Sequence, residues 1–318
     1  MKKIVIIVVN YSGCQLTKHC YDSIDRGSNN IIIEFIVVDN FSSVVEQSKL
    51  KNVLSDTTAK IIFLDKNYGY FQALNVGLIY AREKIIDIDL FIIGNNDLEF
   101  STSLYQELKI INELDANTIV ISPNITNLKE EKQNPHSIAG ISRLREFIYD
   151  LYYYNFLISK IIIKLVKILG GITKRKDTFD QSSSRFIKLG FGACYIIRPA
   201  FFNYFRALWA PIFLMGEELL FSRQLETRGI KIFYESRVNI KHLDNATISK
   251  TPSKKIWESA RHSHKIYRSF ISPYRAKMDV PIDDGWVDEC SGALDLDKAI
   301  HRLNKASILI GSGIQDKA

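Results

Sequence analysis

Acids and amides gather at four points in the first hundred residues, each directly behind a short apolar run: Asn10-Tyr11, Asp39-Asn40, Asp65 with Asn67, and Asn95-Asn96-Asp97. One such residue in a turn is ordinary Asx chemistry. Four in succession point instead to a ligand site. A carboxylate such as Asp97 in that position suits a divalent cation that offsets negative charge on a ligand. Its other reading is a helix N-cap, since a helix could begin near Thr102. Farther along, Gly216-Glu217-Glu218 heads a helical run, Leu219 to Thr227, closed by Gly229. Two acids in a first helical turn can complement the macrodipole, worth about 0.3–1 kcal/mol each, and one of them can serve as a general base. His242 ends another strand-like run, Ile232 to Ile240.

The elements that must position these groups follow from the apolar pattern. Ile4 to Val9, Ile33 to Val38, Ile61 to Leu64 and Leu90 to Ile93 predict four strands, with helices over Cys14 to Ser23, Val44 to Leu54 and Tyr70 to Arg82 between them. Strands apolar on both sides of the pleat are covered on both faces. The expectation is therefore a Rossmann-like α/β layer sandwich with a mostly parallel central sheet, whose ligands sit beyond the carboxyl ends of the strands. Neither G-x-G-x-x-G after the first strand nor G-x-x-x-x-G-K-[ST] occurs, which removes the dinucleotide fingerprint and the P-loop.

The middle of the chain breaks the alternation. Ile148 to Leu169 is rich in Tyr, Ile and Leu, with Lys160, Lys164 and Lys167 on one helical face. It reads as a lid or packing helix with a solvated basic side, or as a segment attached to an anionic bilayer surface. Residues 251–318 read as a mainly helical, charged tail. The expected organisation is a ligand-binding half over 1–125, a second half over 126–250 with an amphipathic insertion at about 140–185, and a helical extension over 251–318.

Composition sets the outer bounds. The 318 residues carry 42 Lys+Arg against 35 Asp+Glu, net +7, and are 46% hydrophobic, an ordinary globular balance that excludes a disordered chain or a disulfide scaffold. Cys14, Cys20, Cys194 and Cys290 show no C-x-x-C spacing and read as reduced thiols. No apolar run reaches the roughly 18–20 residues of a membrane span, and no signal peptide is evident, so a cytoplasmic location is expected. Basic clusters around 143–188 and 250–277 suggest a local anionic partner.

Seven motifs in order resemble the family 2 glycosyltransferases, inverting enzymes of the GT-A fold, and among them the bacterial rhamnosyltransferase-like members. They are Ile7-Val8-Val9-Asn10-Tyr11; Ile36-Val37-Val38-Asp39-Asn40 with Ser42; Asn67-Tyr68-Gly69-Tyr70 through Asn75 and Gly77; Ile93-Gly94-Asn95-Asn96-Asp97; Gly190-Phe191-Gly192-Ala193-Cys194 to Arg198; Phe213-Leu214-Met215-Gly216-Glu217-Glu218; and His242. The resemblance spans Ile4 to His242, roughly three quarters of the chain.

It implies a UDP- or dTDP-sugar donor, with Asp39 accepting from the imide N–H of the base, Tyr11 packing beside it, and Asn10 and Asn40 completing that pocket. Asn67, Gly69 and Asn75 would lie along the ribose and diphosphate. Asp97 and His242 would hold Mg²⁺ or Mn²⁺. Asn95 stands where the family usually has a first aspartate, so it and Asn96 would face the ribose or the metal shell without adding charge. The family's usual Glu-Asp is Glu217-Glu218 here, which maps the base onto Glu218 and leaves Glu217 as its orienting neighbour or a ligand of the acceptor hydroxyl. The implied acceptor is a glycan hydroxyl, on a lipid diphosphate in cell-surface polysaccharide synthesis. Nucleic acid is not an expected partner, and the oligomeric state stays open. A nucleotidyltransferase of similar sheet architecture and a non-catalytic binding module for anionic lipid or nucleic acid are the competing readings.

Overall fold

The β-branched runs fold as their patterning predicts. In the computed structural model, which describes residues 2–25, 31–135, 142–168, 182–243, 253–271, 300–301, 303–310 and 314–316, β1 (Lys2–Asn10), β2 (Ile31–Asp39), β3 (Lys60–Phe63) and β4 (Leu90–Asn95) lie side by side in parallel. Val5, Ile6, Ile7 and Val8 of β1 are buried on both faces of the pleat. Such a strand is stable only with helices above and below it. α3 (Tyr70–Lys84) covers one side and α1 (Cys14–Asp22) with α2 (Val44–Val53) the other, dividing the core into two apolar layers.

Beyond β4 the sheet becomes mixed. β5 (Leu98–Phe100) and α4 (Leu104–Glu113) lead to β6 (Val120–Thr126), then come α5 (Arg143–Tyr154), α6 (Phe156–Ile168), β7 (Arg185–Ile187) and β8 (Cys194–Ile197). α7 (Glu217–Glu226), β9 (Ile232–His242), α8 (Lys254–Ile271), β10 (Ser307–Ile310) and β11 (Ile314–Asp316) complete the described chain. Among the described residues the strand order is β11-β10-β3-β2-β1-β4-β8-β6-β9-β5, with β7 beside β9. β8 runs antiparallel between β4 and β6, so the sheet passes from one half of the molecule to the other without a break.

Two features differ from the sequence expectation. The amphipathic segment is two helices, α5 and α6, separated at Asn155, whose extended backbone ends the first and whose side chain accepts from Leu157 N at 2.8 Å to start the second. The C-terminal segment also contributes strands, because β10 pairs antiparallel with the outer edge of β3. Ser103, not Asp97, holds the N-cap position of α4, so that carboxylate has no capping role there. Cys14, Cys20 and Cys194 are free and buried, and Cys290 lies outside the described residues.

Candidate functional site

Strand register decides which side chains meet. Asn10 and Asp39 end β1 and β2 as direct partners, and Asn95 pairs with Val9 at the end of β4. Asn10 is fully buried and its amide is completely engaged. Nδ2 donates to Asp39 Oδ2 at 3.2 Å and Ser42 Oγ at 3.4 Å, while Oδ1 accepts from Gly13 N, Thr17 Oγ1 and Asn96 Nδ2. Asn96 Nδ2 is shared further with Gly13 O and Thr17 Oγ1. Both amides therefore brace the crevice. Burial pushes the Asp39 carboxyl up, against hydrogen bonds from Ser42 and Asn10 that pull it down. Tyr11, 53% exposed, stands at the same strand end, as does Phe41, an exposed aromatic that the sequence reading passed over.

The third strand end is pinned to the second. Asn40 accepts from Tyr68 N at 2.9 Å and donates to Gly69 O at 3.1 Å, and Asn67 Oδ1 accepts from Gly69 N. The clearance at Gly69, whose φ is +90°, is used by protein: a Cβ there would stand 2.1 Å from Phe213 O. Asn75 sits apart from the expected ribose and diphosphate path. It is buried in α3 and both ends of its amide are taken by the Leu208 backbone, at 2.8 and 2.9 Å. It acts as a strut under the 207–210 segment.

Asp97 and His242 do converge. β5 and β9 pair Leu98 with His242, which brings His242 Nε2 to 3.1 Å from Asp97 Oδ1 and 3.2 Å from Asn95 Nδ2. The other ring nitrogen, Nδ1, faces Gln133 Oε1 at 3.0 Å. A carbonyl oxygen can only accept, so Nδ1 donates to Gln133, and in the neutral ring Nε2 presents its lone pair to the Asn95 amide beside Asp97. Asp97 Oδ1 is itself buried without a hydrogen-bond partner, since its contact with Nε2 lacks hydrogen-bond geometry. An unpaired carboxylate oxygen beside an imidazole lone pair fits a cation better than it fits apolar packing. No cluster of three or more His, Cys, Asp or Glu occurs among the described residues, so a cation here would need further oxygen donors, such as those of a diphosphate.

The acids at α7 face the same crevice. Gly216, with φ +103°, precedes Glu217 and turns the chain into the helix. Glu217 is buried and its Oε1 finds no partner. Desolvation first, and the charge of Glu218 second, push its carboxyl up to about 8. Glu218 is half-buried, with Oε2 3.6 Å from where a Cβ on Gly192 would stand. Gly192 O accepts from Tyr70 OH at 3.1 Å, and Ala193 O accepts from Asn95 N at 2.9 Å, so the 192–193 backbone touches both the Asn95 turn and the Glu218 side. The half-buried Tyr70 phenol is raised by desolvation first and also by the charges of Glu217 and Asp97. One tyrosine thus senses both acidic groups.

Gln133 is the functional neighbour that sequence reasoning missed. It lies in a polar loop 109 residues from His242, and only the fold, through Gln133 N to Ile125 O at 2.8 Å, sets it beside the imidazole.

An α/β sheet with an acid beyond a strand end, Asp97, and two more at a helix start, Glu217 and Glu218, carries groups suited to group transfer. The family model of glycosyl transferase family 2 matches residues 4–166, about half the chain, and the chain belongs to that family. Glu217, Glu218 and His242 lie outside the matched span. No curated protein matches the sequence. Similar solved structures include GalNAc-T7 with UDP, GalNAc and Mn²⁺ (15% identity, 84% of this chain and 48% of that one, TM-score 0.49) and S. aureus TarS (14% identity, 76% and 37%, TM-score 0.48). The chain spans less than half the length of either.

Proposed function

We propose that this chain is a glycosyltransferase that inverts the anomeric centre, uses a UDP- or dTDP-sugar with Mg²⁺ or Mn²⁺, and transfers to a glycan hydroxyl carried on a lipid diphosphate in cell-surface polysaccharide synthesis. The observation that carries the reading is the 3.1 Å approach of His242 Nε2 to Asp97 Oδ1, a buried carboxylate oxygen without a hydrogen-bond partner. Residues 1–125 would bind the donor and 126–250 the acceptor, with α8 of the 251–318 extension packed beside α5 and α7 and its β10 extending the donor-side edge at β3.

Inverting transfer needs one base on the face opposite the departing diphosphate. Glu217 keeps its proton at neutral pH and cannot accept another, which leaves Glu218 to take the proton from the acceptor hydroxyl. Asp97 and His242 would hold the divalent cation, which when bound supplies positive charge against the leaving diphosphate. Asp39 offers acceptor oxygens that select an imide base over cytosine, and the bracing amides Asn10 and Asn96 fix its position.

Thermal-shift measurement with UDP and dTDP, with and without Mn²⁺, tests the donor site. The expected result is stabilisation that needs both nucleotide and metal, is lost in Asp97→Asn and persists in Glu218→Gln, which in turn has no transfer activity. Indifference to every nucleotide, or turnover by Glu218→Gln, overturns the reading.

A further inference from the structure

α5 is built inside out. Its charged and hydroxylated residues Glu146, Asp150 and Tyr153 point inward to α8: the Asp150 carboxylate takes Arg268 and His264 Nε2, and Tyr153 stacks on the His264 ring at 4.6 Å. Its apolar residues Leu144, Phe147, Leu151 and Tyr154, spaced three and four apart on one stripe, face outward, with Leu144 70% and Tyr154 73% exposed. α6 continues the pattern with Leu157, Ile161 and Leu165, all exposed, flanked by the exposed Lys160 and Lys164. A helix in water normally turns such a stripe into the core, so this one is made to meet another apolar phase.

Charge identifies that phase. Between Asp150 and Asp177 the sequence has no acidic residue and six cations, Lys160, Lys164, Lys167, Lys174, Arg175 and Lys176. An apolar stripe edged by lysines, on helices of 12 and 13 residues that cannot cross a bilayer, matches the interfacial mode of membrane binding. We propose that the outward face of α5–α6 docks on an anionic lipid bilayer. The inference deepens the lipid-linked acceptor reading and rests on it for its purpose.

Vesicle flotation of the full chain tests this, with neutral phosphatidylcholine vesicles and with vesicles containing about a third phosphatidylglycerol. The wild type should float with the anionic vesicles, more weakly in high salt, and remain unbound with neutral ones. L157S/I161S/L165S, all surface positions, and K160E/K164E should each lower partition at least about tenfold while keeping the UDP–Mn²⁺ thermal shift. Failure of the wild type to float, or flotation of both variants like wild type, overturns the proposal. A dimer by light scattering that the serine variant abolishes, without vesicle binding, assigns the face to a second copy of the chain instead. Flotation without any UDP–Mn²⁺ shift would leave docking standing and remove the donor reading.

Discussion

At the scale of single residues, the site divides into groups that present chemistry and groups that hold them still. Glu217 gives the sharpest test. Its carboxyl is raised in the fold from 4.5 to about 8, so between those values the folded chain keeps a proton that the unfolded chain releases. That contribution to stability is complete below about pH 4.5 and is lost as pH rises through about 8. Glu217→Gln should therefore flatten the fall in Tm across that window and leave the protein more stable at pH 8 than the wild type. An unchanged pH profile would mean that Glu217 is ionised in the fold. Gln133 gives a second test. Gln133→Leu removes the acceptor that fixes the proton on His242 Nδ1, and losses of such partners cost about 10- to 100-fold in metal affinity. Mn²⁺ titration followed by UDP binding should show that weakening; unaltered affinity would sink the tautomer assignment. The sequence offered Asp97, Glu217, Glu218 and His242 as candidates because each lies at or beside the end of an element with a clear apolar period. It could not distinguish presenting from bracing: Asn10, Asn96 and Asn75 look like ligand contacts by position, and only their hydrogen bonds show them occupied within the protein.

At the scale of elements, the two acids depend on a turn that α8 closes. Ser263 Oγ donates to Leu214 O at 2.6 Å, and the Tyr267 ring lies against Gly216, where a Cβ would come within 2.8 Å of Tyr267 Cδ1. Gly216 also holds φ +103°, a region costly for residues with a side chain. Gly216→Ala should cost about 1–3 kcal/mol through strain and the clash with Tyr267. Because the start of α7 would move with it, transfer should fall more than donor affinity does, read as a kcat loss with a smaller change in UDP binding. Equal loss of both would show that the turn supports the fold alone. The helices and strands of the first hundred residues were legible because each carries a complete period. α8 was legible only as a helix. Its partners, Asp150 and Glu146 on α5, lie more than a hundred residues away, and no local pattern announces that a helix will bury its charges and expose its leucines.

At the scale of the molecule, the C-terminal segment returns across the sheet to its far edge. β10 pairs with β3, outside the strands that carry the site, and Leu303 just before it is 2% exposed within the apolar layer that also holds Ile62 and Ala81. Parallel strands end on edges that expose unpaired backbone groups, and β10 with β11 covers the one at β3. If the segment belongs to the cooperative core, Leu303→Ala should cost about 2–5 kcal/mol as a buried large-to-small change. At roughly 2–4 °C per kcal/mol for a domain of a couple of hundred residues, that is a fall in Tm on the order of 10 °C. The UDP–Mn²⁺ shift should persist in the variant, because β10 contributes no residue to the crevice. An unchanged Tm would place the C-terminal strand outside the folding unit, and a lost nucleotide shift would mean that the sheet transmits the edge's packing to the site through β3 and β2.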